Sequence, residues 1–165
     1  MATLTLERVG SGFYRLANVG TLRTTRRHGA LIESGGRRWE LSRALLGLGQ
    51  IQNAVDQASG ERVARYVPGG PLHLHGIQAG VIEVAGRRYG WRAERQWGSR
   101  FLLSDDGRPL ALLEAGPPAQ PVAIELEHAT TIEPMILLLC CHLVIAAAYA
   151  TDAGLSAAIG VATGG

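Results

Sequence analysis

At 165 residues, 47% hydrophobic and 18% charged, the chain has the length of one domain and can bury a core without disulfides or metals to hold it. Its basic residues are all Arg, and without Lys there is no Schiff-base or lysine-base chemistry. The net charge of +2 excludes the strong basic field of a nucleic-acid binder, so no nucleic-acid partner is expected.

Leu4, Leu6 and Val9 alternate with Thr3, Thr5 and Glu7, the period-2 pattern of a strand with one wet and one dry face. No apolar run of signal-peptide length occurs in this stretch, so a cytoplasmic location is expected, with any membrane contact peripheral. The same texture predicts strands over residues 13–22, 30–33, 37–41, 51–55, 62–67, 72–75, 77–84, 88–94, 100–103, 109–114 and 121–128. Gly10-Ser11-Gly12, Ser34-Gly35-Gly36, Ser59-Gly60 and Pro68-Gly69-Gly70-Pro71 punctuate them. Asp105-Asp106-Gly107 is a hairpin signal, because Asp and Gly tolerate the positive φ of a tight turn. Residues 41–50 read two ways: Leu45, Leu46 and Leu48 suit a helical turn, while Gly47 and Gly49 oppose a long helix.

Ile32-Glu33-Ser34-Gly35-Gly36-Arg37-Arg38-Trp39 is echoed by Ile82-Glu83-Val84-Ala85-Gly86-Arg87-Arg88-Tyr89. Gly60-Glu61-Arg62-Val63-Ala64 is echoed, at nearly the same separation, by Gly107-Arg108-Pro109-Leu110-Ala111. Duplication of a β unit and chance likeness between Gly-turn hairpins both account for this.

Residues 135–150 hold no charge, Gly or Pro and are apolar on every side, which predicts a helix surrounded by nonpolar material. Thr130 and Thr131 suit the cap, Pro134 the first turn and Gly154 the stop. Met135, Leu138, Leu139, Cys141, His142 and Ile145 are its expected core contacts. At 1.5 Å per residue the run is ~24 Å long, short of the ~30 Å of a bilayer's hydrocarbon core. Glu133 and Asp152 flank it in place of the Arg that brackets membrane helices. Many strands needing an apolar interior, and one helix needing apolar surroundings, are satisfied together by a closed sheet around the helix. The expected fold is mostly β: a closed antiparallel barrel of about twelve strands around a buried C-terminal helix. Residues 1–151 form the domain, and 152–165 a flexible tail.

The hairpins Val55-Asp56-Gln57-Ala58-Ser59-Gly60 and Phe101-Leu102-Leu103-Ser104-Asp105-Asp106-Gly107 resemble those of the tubby-like superfamily, which includes the phospholipid scramblases and the LURP-one-related proteins. The resemblance covers residues 4–150 and implies a twelve-stranded barrel around a hydrophobic C-terminal helix. Tubby proteins bind phosphoinositides through basic residues, but the resemblance transfers a shape to this chain and not an activity. A scramblase-type calcium site near the last helix is not carried over, since residues 128–150 offer only Glu133.

No Gly-x-Ser-x-Gly elbow, Walker loop, complete Gly-x-Gly-x-x-Gly or His-Glu-x-x-His pattern is present, so the chain is read as non-enzymatic, with no cofactor. Cys140 and Cys141 read as small core hydrophobes in a reducing compartment. His73 and His75 share one face of a predicted strand, but no third metal ligand is spaced to join them, and no metal is expected. Arg23, Arg26 and Arg27, with the doublets Arg37-Arg38 and Arg87-Arg88, are the candidate anion- or lipid-binding residues, because the guanidinium fork matches phosphate oxygens. Solvated loop edges are the plainer account of the same residues. The leading expectation is a binding module touching an anionic membrane surface or a protein partner. A tail-anchored protein with a soluble β head and a small-ligand-binding barrel stay open as alternatives.

Overall fold

The computed structural model describes residues 2–24, 29–46, 49–69, 79–94, 100–116, 122–127 and 131–162, with side chains left aside at 43–46, 49–50 and 149–162. Twelve strands follow one another: β1 (Ala2–Gly10), β2 (Phe13–Leu16), β3 (Gly20–Thr24), β4 (Ala30–Ser34), β5 (Arg37–Leu46) and β6 (Gly49–Asp56), then β7 (Arg62–Pro68), β8 (Ala79–Val84), β9 (Arg87–Ala93), β10 (Arg100–Asp105), β11 (Arg108–Ala115) and β12 (Val122–Leu126). Each pairs antiparallel with its sequence neighbours, and β1 closes on β12 through Leu4↔Ile124 and Leu6↔Val122. Closure leaves no strand edge open for pairing with another chain. The predicted closed barrel of twelve strands around a C-terminal helix is the observed fold.

Two details bear on the sequence reading. The single strand predicted over 13–22 is two, because Asn18 takes φ 60 and the chain reverses through 17–19; Asn tolerates this left-handed conformation better than most residues. Residues 41–46 belong to β5 and 49–50 to β6, paired from Leu41↔Ala54 to Leu46↔Gly49, with no helical turn among the described residues. The segment 72–75 lies outside the described residues.

Inside the barrel, the pleat alternates large apolar side chains toward the axis: Leu6, Leu22, Ile32, Leu41, Tyr66, Ile82, Leu103, Leu113 and Ile124 are all buried. Trp91 stacks on Phe101 with ring centroids 5.2 Å apart. The helix α1 (Pro134–Ala162) fills the axis, and no residue from Met135 to Ile145 is more than 7% exposed. Met135, Leu138, Leu139, Cys141, His142 and Ile145 are therefore all core residues, as their all-round apolar setting predicted. Burial relaxes over 146–148, which marks the mouth of the barrel. The helix nevertheless continues to Ala162, past the predicted end at 150 and through Gly154. A glycine among Ala, Leu and Ser lowers helix propensity by about 1 kcal/mol but ends a helix only by turning left-handed.

The internal echo extends from turns to contacts. The β4–β5 and β8–β9 turns have positive φ at both central residues, Gly35-Gly36 and Ala85-Gly86, the type I′ geometry that matches strand twist. Glu33 pairs with Arg38 at 3.4 Å as Glu83 does with Arg88 at 3.7 Å. Arg37 lies over the Trp39 ring and reaches Asp56; Arg87 lies over the Tyr89 ring and reaches Asp105. Each of the two following hairpins carries a bulge, at Ala54/Val55 and at Leu103/Ser104. Chance likeness between turns does not require these shared contacts.

An antiparallel barrel sorts its connections into two ends. The connections at 17–19, 35–36, 57–61, 85–86, 106–107 and 127–133 lie where the helix starts; their sequences hold four carboxylates, Glu61, Asp106, Glu127 and Glu133, and no Arg. Those at 11–12, 25–29, 47–48, 69–78, 94–99 and 116–121 join strands at the opposite end, toward which the helix runs; they hold Arg26, Arg27 and Arg95 against Glu94. The connection sequences are thus unequal in charge between the two ends, while Arg37, Arg38, Arg62, Arg87, Arg88 and Arg108 open strands at the helix-start end.

Candidate functional site

The candidate arginines divide between the two ends. Arg37, Arg38, Arg87 and Arg88 begin strands β5 and β9 at the helix-start end, and each has a carboxylate partner. Arg37 to Asp56 is 2.7 Å and Arg87 to Asp105 is 2.5 Å. Charge pairing of this kind answers to the acidic residues as much as to any ligand. Arg23 lies one residue before the end of β3 at the other end, exposed, with its guanidinium 5.1 Å from the centre of the Phe13 ring. Arg26 and Arg27 lie outside the described residues, as do His73 and His75.

Asp56 shows how tightly the helix-start rim is stapled. The Arg37 guanidinium and then the Ala58 N–H, which donates at 2.8 Å, hold its carboxyl below the usual carboxylate range. The Asp56 carbonyl accepts from the Gly60 N–H, so one residue fixes both the β6–β7 turn and the start of β5. A lowered folded pKa means stability that is present above the unfolded value of about 3.9 and lost as pH falls through the folded one. In thermal unfolding followed between pH 2 and 6, Asp56→Asn should therefore show a shallower acid decline than the parent; identical acid limbs would contradict the staple.

The barrel interior is poor in reactive groups. Burial pushes the Cys141 thiol up to about 12 and the Cys140 thiol well above its ordinary value, so neither supplies a thiolate near neutrality. Burial likewise raises the Tyr66 phenol, whose hydroxyl donates to the Ala79 carbonyl at 3.1 Å. Within the core, His142 Nε2 meets Gln52 Oε1 at 3.1 Å, a pairing in which the imidazole N–H donates. Gln52 is 1% exposed and fixes the rotation of the helix against β6. Among the described residues no three His, Cys, Asp or Glu converge to hold a metal, and no helix is long and apolar enough to cross a membrane.

On the outer wall, β7, β8 and β9 enclose an open groove of about 410 Å³ lined by Arg62, Arg65, Arg87 and Arg88, with Glu83 as the carboxylate in its lining. Arg87 and Arg88 were sequence candidates; Arg62 and Arg65 were not, because their place on one face depends on a bulge that composition does not reveal. Gln52 was missed for a similar reason: its alternation fits a strand, but nothing in sequence pairs it with a helix residue 90 positions on.

Compared with protein-family models, with curated proteins and with solved structures, the chain matches none.

Proposed function

We propose that the protein is a non-enzymatic binding module of tubby-like type that docks on anionic phospholipid surfaces through the end from which the helix emerges. The observation that carries this reading is the unequal charge of the connection sequences: those at that end hold three arginines and one carboxylate, and those at the other hold four carboxylates, beside strand arginines that are mostly held by carboxylates. Arg23, exposed one residue before the end of β3, and Arg26 and Arg27 in the connection that follows that strand, are the docking residues. A basic residue at an anionic leaflet contributes about 1 kcal/mol, so three act together as an orienting patch. The helix-start end turns away from the same surface. Arg37, Arg38, Arg87 and Arg88, held by carboxylates at that end, are not assigned to the lipid contact. Because helix side chains occupy the barrel axis, a ligand carried inside the barrel is the weaker reading.

Liposome flotation tests the proposal. The parent chain should float with phosphatidylcholine vesicles containing about a third phosphatidylserine and stay behind with phosphatidylcholine alone. Three lost contacts at about 1 kcal/mol each predict an affinity drop of roughly 100-fold for the Arg23→Ala, Arg26→Ala, Arg27→Ala triple variant. Equal recovery of parent and triple variant would refute the lipid role. Raising the salt several-fold should release the parent, since such charges are screened over ~10 Å at 0.1 M; retention through alkaline carbonate would instead favour a tail-anchored protein.

A further inference from the structure

We propose that the outer groove between β7, β8 and β9 is a second binding site, for a phosphate-bearing anion with at least two negative charges, held by Arg62 and Arg65. Three observations converge on this pair. Arg65 lies directly across from Glu83 in the β7–β8 register, the geometry in which an ion pair is expected, yet Glu83 is held by Arg88 at 3.7 Å instead. The Arg65 Nε is buried and has no hydrogen-bond partner. Among the described residues, neither Arg62 nor Arg65 has a carboxylate partner. A desolvated guanidinium nitrogen without an acceptor is costly, and a bound anion removes that cost.

A bulge brings the two arginines together. Three positions apart on a regular strand, they would face opposite sides of the sheet. In β7, Ala64 pairs with Ala54 but Arg62 pairs with Val55, leaving Val63 as the extra residue. Arg62 thereby shifts to the outer face with Arg65, the kind of re-aiming that bulges produce. The other repeat supplies an internal control, since its hairpin has the same bulge between Ala111↔Leu103 and Pro109↔Ser104. There the places of Arg62 and Arg65 are taken by Pro109 and Leu112, so the hairpin does not need arginine at either position.

The chemistry follows from the donors. Two guanidinium forks without a carboxylate partner, on a wall where Arg87 and Arg88 are already matched to Asp105 and Glu83, leave two positive charges uncompensated. A phosphate ester or diphosphate presents several oxygens and two or more charges to both forks at once; a single carboxylate does not.

Calorimetric titration of the full chain with inorganic pyrophosphate at about 50 mM salt tests the site. Saturable binding is expected, weakened at least tenfold by Arg65→Gln and abolished by Arg62→Gln with Arg65→Gln, while Arg108→Gln, exposed and outside the groove, leaves it unchanged. Each variant is first required to unfold at the parent's temperature. Absence of saturable heat in the parent, equal binding by the double variant, or equal binding of acetate would overturn the proposal. Flotation on phosphatidylcholine vesicles bearing a phosphorylated inositol lipid separates the sources: loss of flotation in the double variant assigns the groove to a headgroup, and unchanged flotation assigns it to a soluble phosphate ester. The variant lacking Arg23, Arg26 and Arg27 should bind pyrophosphate normally, so failure of the docking end and failure of the groove read out separately.

Discussion

Removing the helix by ending the chain at Glu133 should abolish folding of the barrel. Met135, Ile136, Leu137, Leu138, Leu139, Leu143, Val144 and Ile145 are all buried, and these eight side chains are worth about 1.5 to 3 kcal/mol each when removed from water. Their sum, of order 12 to 24 kcal/mol, matches or exceeds the roughly 5 to 15 kcal/mol by which a whole domain is stable. The truncated chain also has twelve strands facing an empty axis, where water would meet Leu6, Ile32, Leu113 and Ile124. Expressed alone, residues 1–133 should lack a cooperative thermal transition, bind hydrophobic dyes and show collapsed amide dispersion. A sharp transition in that fragment would mean that the strands close without the helix, as the β head of a tail-anchored protein would.

How much of this was legible in the sequence depends on whether the deciding contact was local. Asp106-Gly107 and Gly35-Gly36 announce hairpins because a two-residue turn needs positive φ at both residues, and that requirement is written in two letters. The axial position of α1 was legible from an equally simple condition, since residues 135–145 are apolar all round and need nonpolar neighbours on every side. Asn18 was harder to read: it reverses the chain without glycine or proline, inside a run whose alternation looks unbroken. The groove was illegible. Arg62 and Arg65 share a face only through a one-residue register shift against β6, and that shift is a property of the pairing. The far end of α1 was misread for the opposite reason, because Gly154 carries a stop signal that the backbone does not obey.

The two proposed surfaces are compatible in one orientation. Arg62, Arg87 and Arg88 begin their strands at the helix-start end, whereas Arg23 lies one residue before the end of β3 at the other. A barrel docked through its helix-exit end would hold the groove away from the lipid, open to solutes. Ligand and membrane would then be engaged together, with no competition between them, so saturating pyrophosphate should leave flotation on phosphatidylserine vesicles unchanged.

At Gly20 a side chain would meet both the neighbouring strand and the helix, and substitutions there should be among the most damaging single changes in the chain. Gly20 opens β3, and a Cβ built on it runs into the Glu33 carbonyl of the adjacent strand while lying 3.0 Å from both Leu138 Cδ1 and Ser34 Cβ. Gly20→Ala should cost roughly 3 kcal/mol, because a backbone carbonyl in a closed sheet has nowhere to go. Leu138→Ala should cost about 2 to 5 kcal/mol, since Leu138 is fully buried and its loss leaves a cavity on the axis. Combined, the two distinguish which neighbour sets the limit. Removing the Leu138 side chain relieves one of three collisions and leaves the carbonyl untouched, so the double variant should be less stable than either single one in denaturant unfolding. Recovery of the double variant toward Gly20→Ala with Leu138 intact, or beyond it, would show that the helix, and not the β3–β4 pairing, is what excludes a side chain at position 20.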